Sequence, residues 1–169
     1  MASDTKSPKP AAGQTSGQFS TFFVDQLFFG VDVLRVQEVL RAQQMTCVPQ
    51  APDVIEGLIN LRGQIVTALD MRRRLSLPPR DNERTAMNVV VRTDEGAVSL
   101  LVDEIGDVVE VDSSSFERPP DNLEPAIRDL VRGIHKLKGR LLLVLDIGQT
   151  LNLDDGRTDT REAAQSRRF

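Results

Sequence analysis

Apolar residues along this chain fall mostly in short runs or at alternate positions, and glycine, proline and Asx-containing turns separate them, which is the pattern of short β-strands. Phe19 to Val24 and Leu27 to Val31 form one pair of runs, broken at Asp25-Gln26. Leu58 to Leu61 and Gln64 to Leu69 form a second, broken at Arg62-Gly63, and Met87 to Val91 with Val98 to Val102 form a third around Asp94-Glu95-Gly96. Each pair predicts an antiparallel hairpin. Val108, Val109 and Val111 continue as a strand, Ser113 to Pro120 reads as a loop, and Glu124 to Leu130 as a short helix. The period changes in two places. Val33, Val36 and Val39 or Leu40 recur at helical spacing and predict a short helix or helical turn, with Arg35, Glu38 and Arg41 on its other faces. Asp53 and Glu56 have capping-box spacing and predict one helical turn before Gly57.

The stretch from Gly57 to Leu75 reads as strand, glycine turn, strand, aspartate cap and helical turn, with Met71 and Leu75 packing that turn onto the hairpin. The same unit returns near the C-terminus. Gly133, Leu137, Gly139, Leu145, Asp146 and Leu151 follow Gly57, Leu61, Gly63, Leu69, Asp70 and Leu75 at a constant offset, since 133 − 57 and 151 − 75 both give 76. Lys138 repeats the basic residue at Arg62. A fixed offset shared by glycine, basic and acidic positions predicts two copies of one supersecondary unit. The expected fold is all-β dominated, two small barrels in tandem with a few short helices. Subdomain 1 spans about 18–77, a linker without apolar side chains about 78–85, and subdomain 2 about 86–153, with exchange of strands between them left open. Residues 1–17 and 154–169 read as flexible tails.

With 169 residues and a net charge of −4, the chain has room for a core and lacks the concentrated basic face of a general nucleic-acid binder. Tyr and Trp are absent and five of the seven Phe lie between Phe19 and Phe29, which leaves no base-stacking platform. A single cysteine forms no internal disulfide, the N-terminus lacks a signal-peptide core, and no apolar run approaches the ~20 residues needed to span a bilayer, so a cytoplasmic protein of a reducing compartment is expected.

Candidate chemistry is thin. One histidine and one cysteine do not make a typical zinc site. His135 falls opposite Ile59 in the second repeat and reads as a strand residue on a barrel surface; Cys47, beside Val48 and Pro49, reads as a small apolar filler. Asp103, Glu104, Asp107, Glu110 and Asp112 read as charges protecting a strand edge, and Arg72-Arg73-Arg74 as the wet face of the turn after Asp70. No phosphate loop or nucleophile-base-acid set accompanies them. The residues therefore describe a double β-barrel without evident catalytic machinery, for which a small-barrel nucleic-acid binder is the alternative class.

Gly57-Leu-Ile-Asn-Leu-Arg62-Gly63-Gln-Ile-Val, with Leu69-Asp70-Met-Arg72, resembles the CheW family of bacterial chemotaxis coupling proteins. Phe29-Gly30-Val31-Asp32-Val33, Val36-Gln37-Glu38-Val39, the Pro49 and Pro52 loop, Leu101-Val102-Asp103, Asp107-Val108, and Gly133 with Leu145-Asp146 extend the resemblance over Phe19 to Leu153. Thr67-Ala68 departs from it, where proline is usual. The resemblance implies two five-stranded SH3-like barrels and a non-enzymatic adaptor, without cofactor or metal. Its implied partners are the regulatory domain of a CheA-type histidine kinase and the cytoplasmic tips of chemoreceptors, which would recruit a monomer to membrane-associated arrays. By similarity, Val36, Glu38, Arg62 and Val108 are the candidate receptor-binding residues. Gly57, Gly63 and Gly133 are glycines near partner faces that serve as backbone requirements.

Overall fold

The computed structural model describes residues 17–81 and 85–153. Strands β1 (Gly17–Val24) and β2 (Leu27–Asp32) lead through a 3₁₀ turn, Val33–Arg35, into β3 (Val36–Arg41). Then follow β4 (Ile55–Leu61), β5 (Gln64–Asp70) and helix α1 (Met71–Arg74). The second half comprises β6 (Met87–Thr93), β7 (Gly96–Val102), β8 (Glu104–Val111) and a 3₁₀ turn at Ser113–Ser115. It ends with β9 (Phe116–Glu117), α2 (Pro125–Arg128), β10 (Val131–Leu137), β11 (Arg140–Leu145) and α3 (Ile147–Leu151). The fold is all-β dominated, as expected. Both expected tails lie outside the described residues except for Gly17, which opens β1, and Leu153 ends the described chain. Of the expected linker, 82–84 lies outside them too.

Two sheets form, one of six strands in the order β8-β1-β2-β11-β10-β9 and one of five in the order β3-β6-β7-β5-β4. Five strands each were expected; the two-residue β9, inside the segment read as a loop, supplies the sixth. The sheets do not divide at the linker. β1 and β2 join the C-terminal strands, β3 joins β6, and β8 returns to β1, so each half of the chain contributes to both sheets.

Both sheets are curled. The connection from Val111 at one edge of the six-stranded sheet to Phe116 at the other reaches at most ~18 Å, whereas the outer strands of six laid flat stand ~24 Å apart. In the other sheet β3 ends at Arg41, and Thr46 already bridges Leu58 on the free side of β4. Gly57 and Gly133 permit these edge crossings. A Cβ on Gly57 would stand 2.7 Å from the Thr46 carbonyl oxygen, and one on Gly133 2.8 Å from that of Glu117.

The repeat is present in register. Thr67 pairs with Val98 and Leu143 with Phe29, both in parallel ladders, and Ala68 with Ser99 matches Val144 with Gly30. The β4–β5–α1 unit therefore recurs at 143 − 67 = 76. The strands around it recur at 98 − 29 = 69, an offset that also relates Val39–Val89 to Val108–Ser20 as 108 − 39 and, for the partners, 89 − 20. The Asp70 carboxylate accepts from the Arg72 amide and that of Asp146 from the Gln149 amide, and Met71 and Leu75 are buried.

Between the sheets lies the largest apolar cluster among the described residues. Phe22, Phe29, Val31, Ile134 and Leu143 of one sheet meet Leu69, Val89, Val91, Leu100 and Val102 of the other, sealed by Met71, Ile127, Leu130 and Ile147. Each sheet keeps a smaller cluster of its own, around Phe19, Leu142 and Val144 or around Ile59, Val66 and Val90.

Two helical expectations are overturned. Residues from Val36 onward form β3, in which Val36, Glu38 and Leu40 alternate with more exposed neighbours, and only Val33–Arg35 is helical. The predicted turn at Asp53 to Glu56 is a short turn in which the Ile55 amide donates to the Pro52 carbonyl, and β4 has begun by Ile55.

Of the arginine triplet only Arg73 is the wet face expected; it is exposed, whereas its two neighbours are not. Arg72 and Arg74 are buried, and each donates to several acceptors brought from other parts of the chain. Arg74 donates to the carbonyls of Gln149, Thr150 and Asn152 at the end of α3, at 2.8–2.9 Å. Arg72 grips Asp103 through Nε and Nη2, the shortest contact being 2.7 Å. The side chain of Asp103 is 4% exposed and also accepts from Arg80 Nε at 2.9 Å and from the Asp25 amide at 2.6 Å. Asp103 is thus no edge-protecting charge; it joins the β1–β2 turn, α1 and the segment after Leu77. Burial pushes its carboxyl up, but the Arg72, Asp25 and Arg80 hydrogen bonds outweigh that and hold it below the usual aspartate value.

Asp103→Asn leaves two guanidinium groups without their anion and is expected to cost about 3–5 kcal/mol in urea unfolding at pH 7. Because the folded carboxyl titrates low, its stabilisation is complete above the unfolded value of about 3.9 and is lost as pH falls through the folded value. The difference between wild type and variant should therefore shrink below about pH 4; a difference that stays constant from pH 7 to 3 would contradict this. Gly57→Ala, which drives a methyl into the Thr46 carbonyl, should lower stability by about 1–3 kcal/mol in the same measurement.

Candidate functional site

The β4–β5 hairpin closes on Leu61 paired with Gln64, leaving Arg62-Gly63 as a two-residue loop. Both residues have positive φ, 52° and 86°, the arrangement of a type I′ turn that matches the twist of the flanking strands. Glycine enters that region freely; an arginine there is uncommon. Asn60 supports the turn by accepting from the Gly63 amide at 2.9 Å.

Arg62 extends from this tip with 83% of its side chain exposed, and its Nη2 meets Glu38 Oε1 at 2.8 Å. Glu38 is only 19% exposed because it occupies an inward position of β3. The β3–β6 register slips between Val36 and Glu38, a bulge of the kind that re-aims a side chain locally. An exposed ion pair of this sort contributes only about 0–1 kcal/mol to stability. Its consequence is geometric: one end of a long side chain is fixed while the rest of a five-donor guanidinium faces solvent.

Among the residues singled out from sequence, the fold brings Glu38, Arg62 and Gly63 together. Val36 stands in the same strand as Glu38 and packs against the central core. Val108 and Gly133 belong to the other sheet. Val108 is 56% exposed on the edge strand β8, while Gly133 is buried beneath Phe116 and Glu117. Gly57 is buried beneath Met45 and Thr46. The exposed carboxylates Glu104, Asp107 and Glu110 do lie along an edge strand, and Asp112 caps the 3₁₀ turn that follows.

Sequence reasoning missed Asn60, for which the placement of an amide two residues before a basic-glycine turn was the available signal. It also missed the Arg72–Asp103–Arg80 cluster, whose members are far apart in sequence and carried no local mark. His135, expected on a surface, is fully buried between Phe19 and Phe116, with Nδ1 2.8 Å from the Ser115 hydroxyl. Cys47, expected to be an apolar filler, is exposed.

No group of three or more His, Cys, Asp or Glu side chains among the described residues could hold a metal ion. A cleft of about 480 Å³ is lined by Glu56, Asp70, Arg73, Leu77, Pro79, Arg80 and Asp81. Arg73 stands 3.3 Å from Glu56 and 3.6 Å from Asp70, and Arg80 pairs with Asp103 through Nε while its Nη2 is buried without a hydrogen-bond partner. The hairpin tip itself presents an exposed cation held at one end by Glu38.

The family model for the CheW-like domain matches residues 18–155. Among curated relatives, the chemotaxis protein CheW of Klebsiella aerogenes is 28% identical over 145 residues, covering 85% of this chain and 87% of the relative. CheW of Bacillus subtilis is 26% identical over 151 residues, covering 89% and 97%. Among solved structures, the scaffolding protein TtCheW from Thermoanaerobacter tengcongensis superimposes with a TM-score of 0.74 at 25% identity, over 83% of this chain and 95% of that one. Sequence, topology and the duplicated hairpin agree: the chain belongs to the CheW-like domain family.

Proposed function

We propose that this protein is a non-enzymatic chemotaxis adaptor that couples a CheA-type histidine kinase, through its regulatory domain, to the cytoplasmic tips of chemoreceptors, with Arg62 at the receptor face. The observation that supports this reading most directly is the Arg62–Glu38 pair at the exposed hairpin tip of a CheW-like domain. The small-barrel nucleic-acid binder finds no support among the relatives, and the chain's charge of −4 opposes it.

Glu38 uses one arm of the guanidinium, and the remaining N–H groups are available to a carbonyl or carboxylate of the receptor. Holding the side chain before the partner arrives reduces the conformational entropy lost on docking. Val36, beside this pair, and the exposed Val108 offer apolar contact to a receptor helix. Each contact is modest, and simultaneous attachment of kinase and receptor converts modest affinities into a stable array through effective concentration. No described helix is long and apolar enough to cross a membrane, so attachment to a membrane-associated array runs through the receptors.

Arg62→Ala should weaken co-sedimentation with purified receptor signalling fragments by about tenfold or more, the loss of a charged hydrogen bond. The melting temperature should fall by less than about 4 °C, because the pair is exposed. Receptor sedimentation equal to that of the wild type would remove Arg62 from the docking face.

A further inference from the structure

The duplication supplies an internal control for the hairpin tip. β10 has the same length as β4, and β10–β11 closes on the equivalent pair, Leu137 with Arg140, with a register slip at the equivalent place at its start. Yet only Gly139 has a positive φ there, 78°, and Lys138 does not enter the left-handed region that Arg62 occupies. The position equivalent to Asn60 at the offset of 76 is Lys136, which donates hydrogen bonds and accepts none. Asp107 holds the place of Glu38 through the pairing of neighbouring strands, but no ion pair joins it to Lys138 among the described residues. Lys136 instead reaches Glu117 at 3.2 Å. Two hairpins built alike therefore differ at the tip where one carries a side-chain acceptor and the other does not.

We infer that Asn60 is the positioning residue of the docking site: by accepting from the Gly63 amide it selects the turn in which Arg62 is left-handed and reaches Glu38. Asn60 is exposed, so burial in the core does not account for its place. The 2.9 Å bond spans the loop from the strand that enters it and ties down an amide that would otherwise face water. In that geometry Arg62 leaves the tip toward β3, and Glu38 completes a bridge between a hairpin tip and a strand that share no ladder. A lysine at position 60 removes the acceptor and releases the basic residue, as the second hairpin displays.

This inference rests on the docking role of Arg62, and the test separates the two. In the full-length protein, Asn60→Ala should raise the hydrogen-exchange rate of the Gly63 amide about two- to tenfold, the population change of one lost hydrogen bond. Thermal unfolding should be almost unchanged. Receptor co-sedimentation should weaken, Asn60→Asp should restore it because a carboxylate also accepts, and Asn60→Ala combined with Arg62→Ala should be no weaker than Arg62→Ala alone. An unchanged Gly63 exchange rate, or full receptor binding by Asn60→Ala while Arg62→Ala loses it, would overturn the assignment. If Arg62→Ala itself binds normally, the docking role fails, and Gly63 exchange still decides whether Asn60 selects the turn.

Discussion

One apolar core, shared by two curled sheets and fed by strands from both ends of the chain, is the constraint on which the remaining structure depends. Neither sheet has a comparable core of its own, so neither half of the sequence can bury its strands without the other. β2 finds its parallel neighbour in β11, more than a hundred residues away, while β3 and β8 leave their sequence neighbours for the opposite halves. The buried side chains lock these exchanges, since a close-packed interior transmits rather than absorbs displacement. An adaptor with two partners needs that property, because a hinge between its faces would leave each partner indifferent to the other.

At the margin of this core the two halves are tied by charge. Asp103 lies between β7 and β8 at a point where apolar packing gives way to turns, and it gathers donors from the β1–β2 turn, α1 and Arg80. Arg74 does similar work at the end of α3, where helix carbonyls have no partner within the helix. Both arginines follow the aspartate that caps α1. Within one turn of helix the sequence therefore carries a cap, a core residue, an ion-pair partner and a clamp on the repeated unit's own helix.

The hairpins were legible because their cues are local: alternating or continuous apolar runs, glycine at the turn and aspartate at the end. The offset of 76 was legible for the same reason, since glycine and aspartate mark positions that apolar residues do not. The second offset, 69, relates strands made of interchangeable Val, Leu and Phe, and emerges only from their pairing. Long-range polar contacts left no trace at all. Arg72 and Arg74 read as solvated because their acceptors lie far along the chain, and His135 read as exposed because its neighbours Phe19, Ser115 and Phe116 come from other elements. Ile59 fills the equivalent place in the first copy with carbon alone, so the duplication itself hid a polar group in an apolar position.

The misread helix at Val33 to Leu40 is instructive for the site. A strand there should show apolar residues at Val36, 38 and Leu40, but position 38 is a glutamate, and the broken alternation left a helical spacing as the better match. Glu38 stands in an inward place because Arg62 comes to meet it, and Arg62 comes to meet it from a backbone conformation that a non-glycine residue rarely takes. Two violations of local preference thus sit 2.8 Å apart and explain each other. Such paired exceptions to local preference are expected where a site departs from the rules that shape the rest of a fold, which is why the docking role is proposed for this tip.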